Sequence, residues 1–142
     1  MLLGEYEYKV DNKGRLPLPT RFRQEFREGL VLTRGFEPCI VAYRSSDFEK
    51  LAGNYTSQSI NKSKMRRLAR YTFGSAFDQQ LDGQGRIALP SALRQYAGIT
   101  DAAIIVGANN CIELWNPQRW QDEQKEAESQ AWQIIESLED SQ

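Results

Sequence analysis

The sequence predicts an α+β fold made by tandem duplication of one unit, and three observations carry that prediction. The stretch VDNKGRLPLP, Val10 to Pro19, returns as LDGQGRIALP, Leu81 to Pro90, so one turn motif stands in the chain twice. Identity then persists at a single offset of 71 residues: Asp11/Asp82, Gly14/Gly85, Arg15/Arg86, Leu18/Leu89, Pro19/Pro90, Arg23/Arg94 and Gln24/Gln95 are the same, while Leu16/Ile87, Thr20/Ser91 and Phe22/Leu93 are similar. One inserted residue later, an offset of 72 aligns Cys39/Cys111, Ile40/Ile112, Tyr43/Trp115 and Phe48/Trp120. Within each copy, short alternating runs bounded by turn residues give way to helical spacing, which mixes strands with short helices.

The elements of the first copy follow in order. Tyr6, Tyr8 and Val10 alternate with charged residues, a half-buried strand; Asn12-Lys13-Gly14 is turn chemistry, and Arg15 to Leu18 is the returning strand. Thr20 after Pro19 is the expected N-cap of a short helix with Phe22 and Phe26 on its apolar face, ending at Gly29. LVLTR and CIVAY read as a hairpin, and Ser46-x-x-Glu49 resembles a capping box for a helix that turns Phe48, Leu51 and Ala52 inward. NKSKMRRLAR, Asn61 to Arg70, carries five basic residues with Met65, Leu68 and Ala69 as an apolar stripe, a basic amphipathic helix between the copies.

The second copy repeats this grammar. Ser91 replaces the Thr cap, Leu93 and Ala97 supply the apolar face, and Gly98 ends the helix. AIIVG and CIELW form the hairpin, and Asn116-Pro117 opens the last helix. After Trp120, Ala127, Ala131, Ile134 and Leu138 follow an approximate a/d spacing with Trp132 and Ile135 beside them, too briefly for a coiled coil. Two readings of this segment stand side by side: a helix that packs on a neighbouring subunit, or an acidic tail that stays solvated. The expected plan is a first repeat over 1–60, a basic linker helix over 61–72, a second repeat over 73–121 and an acidic helix or tail over 122–142.

Composition narrows the function classes. With 142 residues, 40% hydrophobic and 26% charged, the chain is sized for one soluble domain. No run approaches the ~18 apolar residues of a membrane span, and the MLLGEYEYKV start lacks the pattern of a signal peptide, so a cytoplasmic protein is expected. Cys39 and Cys111 each sit in an apolar run and read as buried free thiols. The net charge of -1 conceals a dipole: residues 122–142 carry -6, leaving +5 on residues 1–121. There is no histidine, no GxxxxGK[ST] loop and no GxGxxG opening a helix after a strand, which removes the commonest general base and the usual nucleotide cradles. Enzyme, metal and cofactor chemistry are therefore not expected.

What remains is the pair of turns. A guanidinium is a rigid fork of donors suited to phosphate or to guanine O6 and N7, so Arg15 and Arg86 are the leading DNA contacts, with Lys13 adding a point charge. Gly14 and Gly85 let the backbone take positive φ and approach a partner closely. Asp11 and Asp82 are read as structural, pairing with the arginine four residues on or with turn amides, because a carboxylate facing phosphates would repel. A single such hairpin is an ordinary surface turn; folding alone does not require the arginine to recur.

The motifs DNKGR and DGQGR, each followed by apolar-x-apolar-Pro, together with MLLGEY, GLVLTRGFEPCIVAY and IIVGANNCIELW, resemble the MraZ family of bacterial transcriptional regulators over nearly the whole chain. The resemblance implies an AbrB-like swapped-hairpin architecture in which two halves of one chain interlock into an intrachain pseudo-dimer with a β-barrel-like core. It implies a nucleoid-associated protein that binds short G-rich direct repeats in the promoter of the cell-division and cell-wall gene cluster, as a ring-shaped homo-oligomer. The DNA contacts it carries over are Lys13, Gly14 and Arg15 in the first motif and Gly85 and Arg86 in the second. Gln84 departs from the lysine that the family pattern prefers, leaving the second turn one charge poorer but still able to hydrogen-bond. Arg21 and Arg23, on the helix after the first turn, are expected phosphate contacts, and Arg94 is a weaker candidate. No membrane and no small-molecule substrate are implied. Two other readings use the same residues: an antitoxin-like protein whose acidic C-terminal helix neutralises a protein partner, and an assembly protein without nucleic acid.

Overall fold

A computed structural model describes residues 1–57 and 61–140 of the chain. The fold is α+β. Each repeat contributes four strands: β1 (Glu5–Lys9), β2 (Arg15–Pro17), β3 (Leu30–Arg34) and β4 (Ile40–Arg44) from the first, and β5 (Phe77–Gln79), β6 (Arg86–Ala88), β7 (Ala102–Gly107) and β8 (Cys111–Trp115) from the second. Helix α1 (Thr20–Arg23) follows β2 and α4 (Ser91–Ala97) follows β6; α2 (Ser45–Ser57) follows β4, α3 (Lys62–Phe73) precedes β5, and α5 (Pro117–Asp140) ends the described chain.

Six strands form one sheet in the order β1-β7-β8-β4-β3-β5, and β2 pairs with β6 in a separate two-stranded ribbon; every pairing is antiparallel. The order is a strand exchange. β1 of the first repeat extends the β7–β8 hairpin of the second, and β5 of the second extends the β3–β4 hairpin of the first. The registers obey one pseudo-two-fold relation: Tyr8 faces Ala103 as Gln79 faces Leu30, and Tyr6 faces Ile105 as Phe77 faces Leu32. The dyad passes between Leu16 and Ile87 in the ribbon and between Val41 and Glu113 in the sheet. Among the described residues the six-stranded sheet stays open, with β1 and β5 as its edges, so the pairing closes no barrel.

Apolar burial explains the exchange. Leu30, Leu32, Ile40, Ala42, Ala103, Ile105, Ile112 and Leu114 present one face of the sheet, and Leu16, Leu18, Ile87 and Leu89 of the ribbon strands and their exits pack into the same core with Phe22, Phe26 and Leu93. A three-residue strand cannot bury both of its faces alone; pairing β2 with β6 puts Leu16 and Ile87 together at 0% exposure over this core. The opposite face of the sheet holds a smaller cluster of Cys39, Val41 and Trp115, with Trp120 of α5 packed on it. Burial pushes the Cys39 thiol well up, and the Cys111 thiol to about 11.

Several local expectations change. The returning strand β2 pairs with β6 and not with β1, because the core side of the ribbon is shared between repeats. Pro19 and Pro90 occupy the N-cap positions without a side-chain cap, and Thr20 and Ser91 are the first helical residues. Helix α1 stops at Arg23 instead of running to Gly29: the chain tightens into i→i+3 bonds from Phe26 N to Arg23 O and from Arg27 N to Gln24 O, delivering Phe26 to the core. Gly98 does end α4, in the left-handed conformation. Ser46 is the second residue of α2 rather than its cap, while Asp47 in that first turn pairs with Arg44 at 2.6 Å. The basic helix runs to Phe73 and is capped by Asn61, whose Oδ1 accepts from the Ser63 amide. The two copies also drift in register: pairing makes Val31 the counterpart of Ile104, an offset of 73, before the shorter second turn restores 72.

Candidate nucleic-acid interface

Both turns are built by the same bonds. Asp11 Oδ1 accepts from the amides of Lys13 at 2.9 Å and Arg15 at 2.8 Å, and its Oδ2 accepts from Arg15 Nε at 2.7 Å. Asp82 does the same with Gln84 N at 2.8 Å, Arg86 N at 2.9 Å and Arg86 Nε at 2.7 Å. The backbone closes each turn, with Asp11 N donating to Arg15 O and Gly14 N to Asp11 O, mirrored by Asp82 and Gly85. Gly14 and Gly85 have φ of +74° and +73°, the left-handed region that a side chain makes costly. Acceptance from the Arg86 amide, with the other donors, holds the Asp82 carboxyl down at about 2, and the Arg15 amide lowers Asp11 in the same way.

Each aspartate therefore holds the Nε of the arginine four residues on. With Nε held, each guanidinium is oriented, and both side chains stay partly exposed. Arg15 and Arg86 lie on the ribbon face opposite the buried Leu16/Ile87 pair, because alternate strand residues point to opposite sides. They are diagonal neighbours across the pseudo-dyad, close enough that Arg86 Nη1 stands 3.9 Å from Asp11 Oδ2. Lys13 and Gln84 are exposed at the two ends of the ribbon. The structure thus brings Lys13, Arg15, Gln84 and Arg86 onto one face of the ribbon, while Gly14 and Gly85 are buried beneath it.

Arg23 and Arg94 have a different place. Arg23 Nε donates to Leu18 O and Arg94 Nε to Leu89 O, both at 3.0 Å. A methyl group at Gly85 would meet the Arg23 side chain at 2.3–2.8 Å, and one at Gly14 would meet Arg94 at 3.1–3.3 Å. Each arginine covers the glycine of the other repeat's turn, so the turns are braced crosswise. Leu18 N donates to Gly85 O and Leu89 N to Gly14 O, completing the brace. This role escaped the sequence reading, although the joint recurrence of Gly14/Gly85 and Arg23/Arg94 was its visible signal. Arg21 Nη1 donates to Tyr6 Oη at 3.1 Å and lines a hollow with Glu25, Arg44, Asp47 and Lys50, apart from the turns.

The basic helix α3 is also elsewhere. Thr33 Oγ1 donates to Thr72 O at 2.8 Å, and Thr33 points away from the Leu32 side of β3, so α3 lies on the sheet face opposite the ribbon core.

A family model described as "MraZ protein, putative antitoxin-like" matches the chain twice, over residues 1–71 and 72–137. The chain belongs to the MraZ family. It is 48% identical over 141 residues, 99% of both chains, to the transcriptional regulator MraZ of a Dehalococcoides mccartyi strain. It is 47% identical to the transcriptional regulator MraZ of Roseiflexus sp. (strain RS-1), covering 86% of this chain and 85% of that one. At 36% identity, 99% of the chain aligns with 98% of the transcriptional regulator MraZ of Lactobacillus gasseri. The family is not one of enzymes. The double match coincides with the two strand-exchanging repeats, and no described helix is long and apolar enough to cross a membrane.

Proposed function

We propose that the protein is a transcriptional regulator that binds double-stranded DNA through the outer face of the β2–β6 ribbon. One observation carries this: two arginines, each clamped by an aspartate in the same geometry, stand together on a solvent-facing two-stranded ribbon flanked by Lys13 and Gln84. The major groove admits a two-stranded ribbon, and an oriented guanidinium donates bidentately to guanine. Arg15 and Arg86 are the base readers and Lys13 and Gln84 make the end contacts, while Gly14 and Gly85, buried under Arg94 and Arg23, serve the DNA contact only by shaping the turns. Arg21 contributes at most an outlying phosphate contact, and Arg23 acts by bracing Gly85.

On this reading the repeats over 1–60 and 73–121 form an AbrB-like pseudo-dimer within one chain, joined by the helix over 61–72 and followed by the acidic segment over 122–142. Acting as a homo-oligomer in the cytoplasm at the nucleoid, it regulates the cell-division and cell-wall gene cluster by engaging short G-rich direct repeats. A few charges per copy give modest affinity, which linked copies raise by about 10² to 10⁴ where repeats and ribbons match in spacing. The antitoxin reading draws on the family description and on the exposed acidic helix α5. It is the weaker, since the duplicated repeats fill most of the chain.

Fluorescence anisotropy with a duplex of several G-rich repeats against a scrambled duplex tests the proposal. Selective binding that weakens steeply with salt, and falls about 30-fold or more in the Arg15→Ala/Arg86→Ala double variant, is expected from about 1–3 kcal/mol per base contact. Equal affinity of both proteins for both duplexes refutes it.

A further inference from the structure

The two repeats end differently. In the first, α2 is mated with α3 through Phe73, whose ring lies 5.5 Å from Phe48 and 5.9 Å from Tyr55. In the second, Trp120, the counterpart of Phe48, seats the start of α5 against Trp115, but α5 continues as a single helix to Asp140, and every residue from Lys125 to Asp140 is exposed. One edge of this extension reads Glu128, Trp132, Ile135 and Glu139, at the i, i+4, i+7 and i+11 positions of one helical face, with Trp132 at 75% exposure.

A matching surface lies on α3. Lys64, Arg67, Leu68 and Tyr71 occupy its i, i+3, i+4 and i+7 positions, and with Phe36, stacked on Tyr71 and 72% exposed, they line an open groove of about 480 Å³. Among the described residues, none of the five α3 cations has a carboxylate within 4.0 Å. Arg34, stacked on Tyr71 at 4.2 Å, adds a guanidinium whose buried Nε has no hydrogen-bond partner there. This groove is on the sheet face away from the ribbon, so DNA on the ribbon leaves it open.

We propose that the distal part of α5 of one copy docks in the Phe36–α3 groove of a second copy. Trp132 and Ile135 cover Phe36, Leu68 and Tyr71, while the carboxylate at one end of that edge, Glu128 or Glu139 according to the direction in which the helices run, meets Lys64 and Arg67. Pairing of α5 with another α5 is disfavoured, since residues 122–142 carry -6. Within one chain the groove is distant: α3 sits over β3 and α5 over β7, with β4 and β8 between them. The contact is head-to-tail, each copy offering one α5 and one groove, so it propagates until a ring closes. It deepens the assembly half of the reading above and is independent of the DNA contact.

The test is the mass of the full chain in solution without DNA, by light scattering. The wild type and the Arg15→Ala/Arg86→Ala ribbon variant are expected as assemblies of three or more chains. Trp132→Glu/Ile135→Glu and Lys64→Glu/Arg67→Glu are each expected as single chains. Mixed in equal amounts, these two retain one intact α5–groove pair between them and form a two-chain species and nothing larger. Adding Glu128→Lys/Glu139→Lys to Lys64→Glu/Arg67→Glu restores the large assembly; this variant decides the matter if the aromatic one misfolds by circular dichroism. A single-chain wild type, wild-type mass in either variant, a mixture that stays at one chain, or failure of the charge-reversed pair to reassemble overturns the docking while leaving DNA binding by the ribbon intact.

Discussion

The turns at residues 11–15 and 82–86 share every internal hydrogen bond, with matching lengths within 0.1 Å, yet they differ where they meet solvent. The first offers Asn12 and Lys13, the second Gly83 and Gln84. The pairing separates two jobs. Asp, Gly and Arg recur because they make the turn and aim the guanidinium; the tip residues take no part in that bonding through their side chains and are free to diverge. The pseudo-symmetric ribbon is therefore symmetric in shape and unequal in charge, and the proposed DNA contact predicts an element read with a direction.

The bracing glycines give the largest expected effect and the sharpest contrast between the halves. Gly14→Ala pays mainly for a left-handed backbone and is expected to cost about 1–2 kcal/mol. Gly85→Ala pays that and also displaces Arg23 from Leu18, for about 2–3 kcal/mol in total. Urea denaturation of the two variants checks the order, and equal losses would show that Arg23 does not brace the second turn.

Next comes the difference in tip charge. Lys13→Ala is expected to flatten the dependence of log affinity on log salt by about 0.9, Gln84→Ala to leave the slope unchanged, and Gln84→Lys to steepen it by about 0.9. Salt titrations on one repeat duplex read all three. A Gln84→Lys variant with the wild-type slope would mean that the second tip does not reach phosphate.

The smallest effect is on pH. The folded-state carboxyls of Asp11 and Asp82 lie below their ordinary value, so the stability they lend is present above the unfolded value of about 3.9 and is lost as pH falls through the folded one, about 2 for Asp82. Urea midpoints followed down in pH are expected to show a loss between about 4 and 2 that is shallower in Asp82→Asn than in the wild type. An unchanged loss in Asp82→Asn would place the acid sensitivity elsewhere.

These contrasts show which features the sequence could reveal. The turn was legible because its bonds span two to four residues, and Asp-x-x-Gly-Arg states them all. The duplication was legible because the same constraint acts twice. Strand exchange between repeats was not written in either copy, since β1 reads as a half-buried strand whichever edge it joins; only the resemblance to a family implied interlocking, and a closed barrel did not follow. Helix starts were misread at Thr20, Ser91 and Ser46 because local cap patterns compete with Pro19, Pro90 and the Arg44–Asp47 pair. The brace from Arg23 was not legible, because its partner, Gly85, is distant in sequence and becomes a neighbour only when the ribbon forms.

The central claim is that the two turns act as one DNA-reading surface, and amide hydrogen exchange with and without a repeat duplex tests it most directly. Added protection is expected together over residues 11–18 and 82–89, with 62–73 unchanged. Protection confined to one turn, or centred on 62–73 with both turns unchanged, would contradict the account.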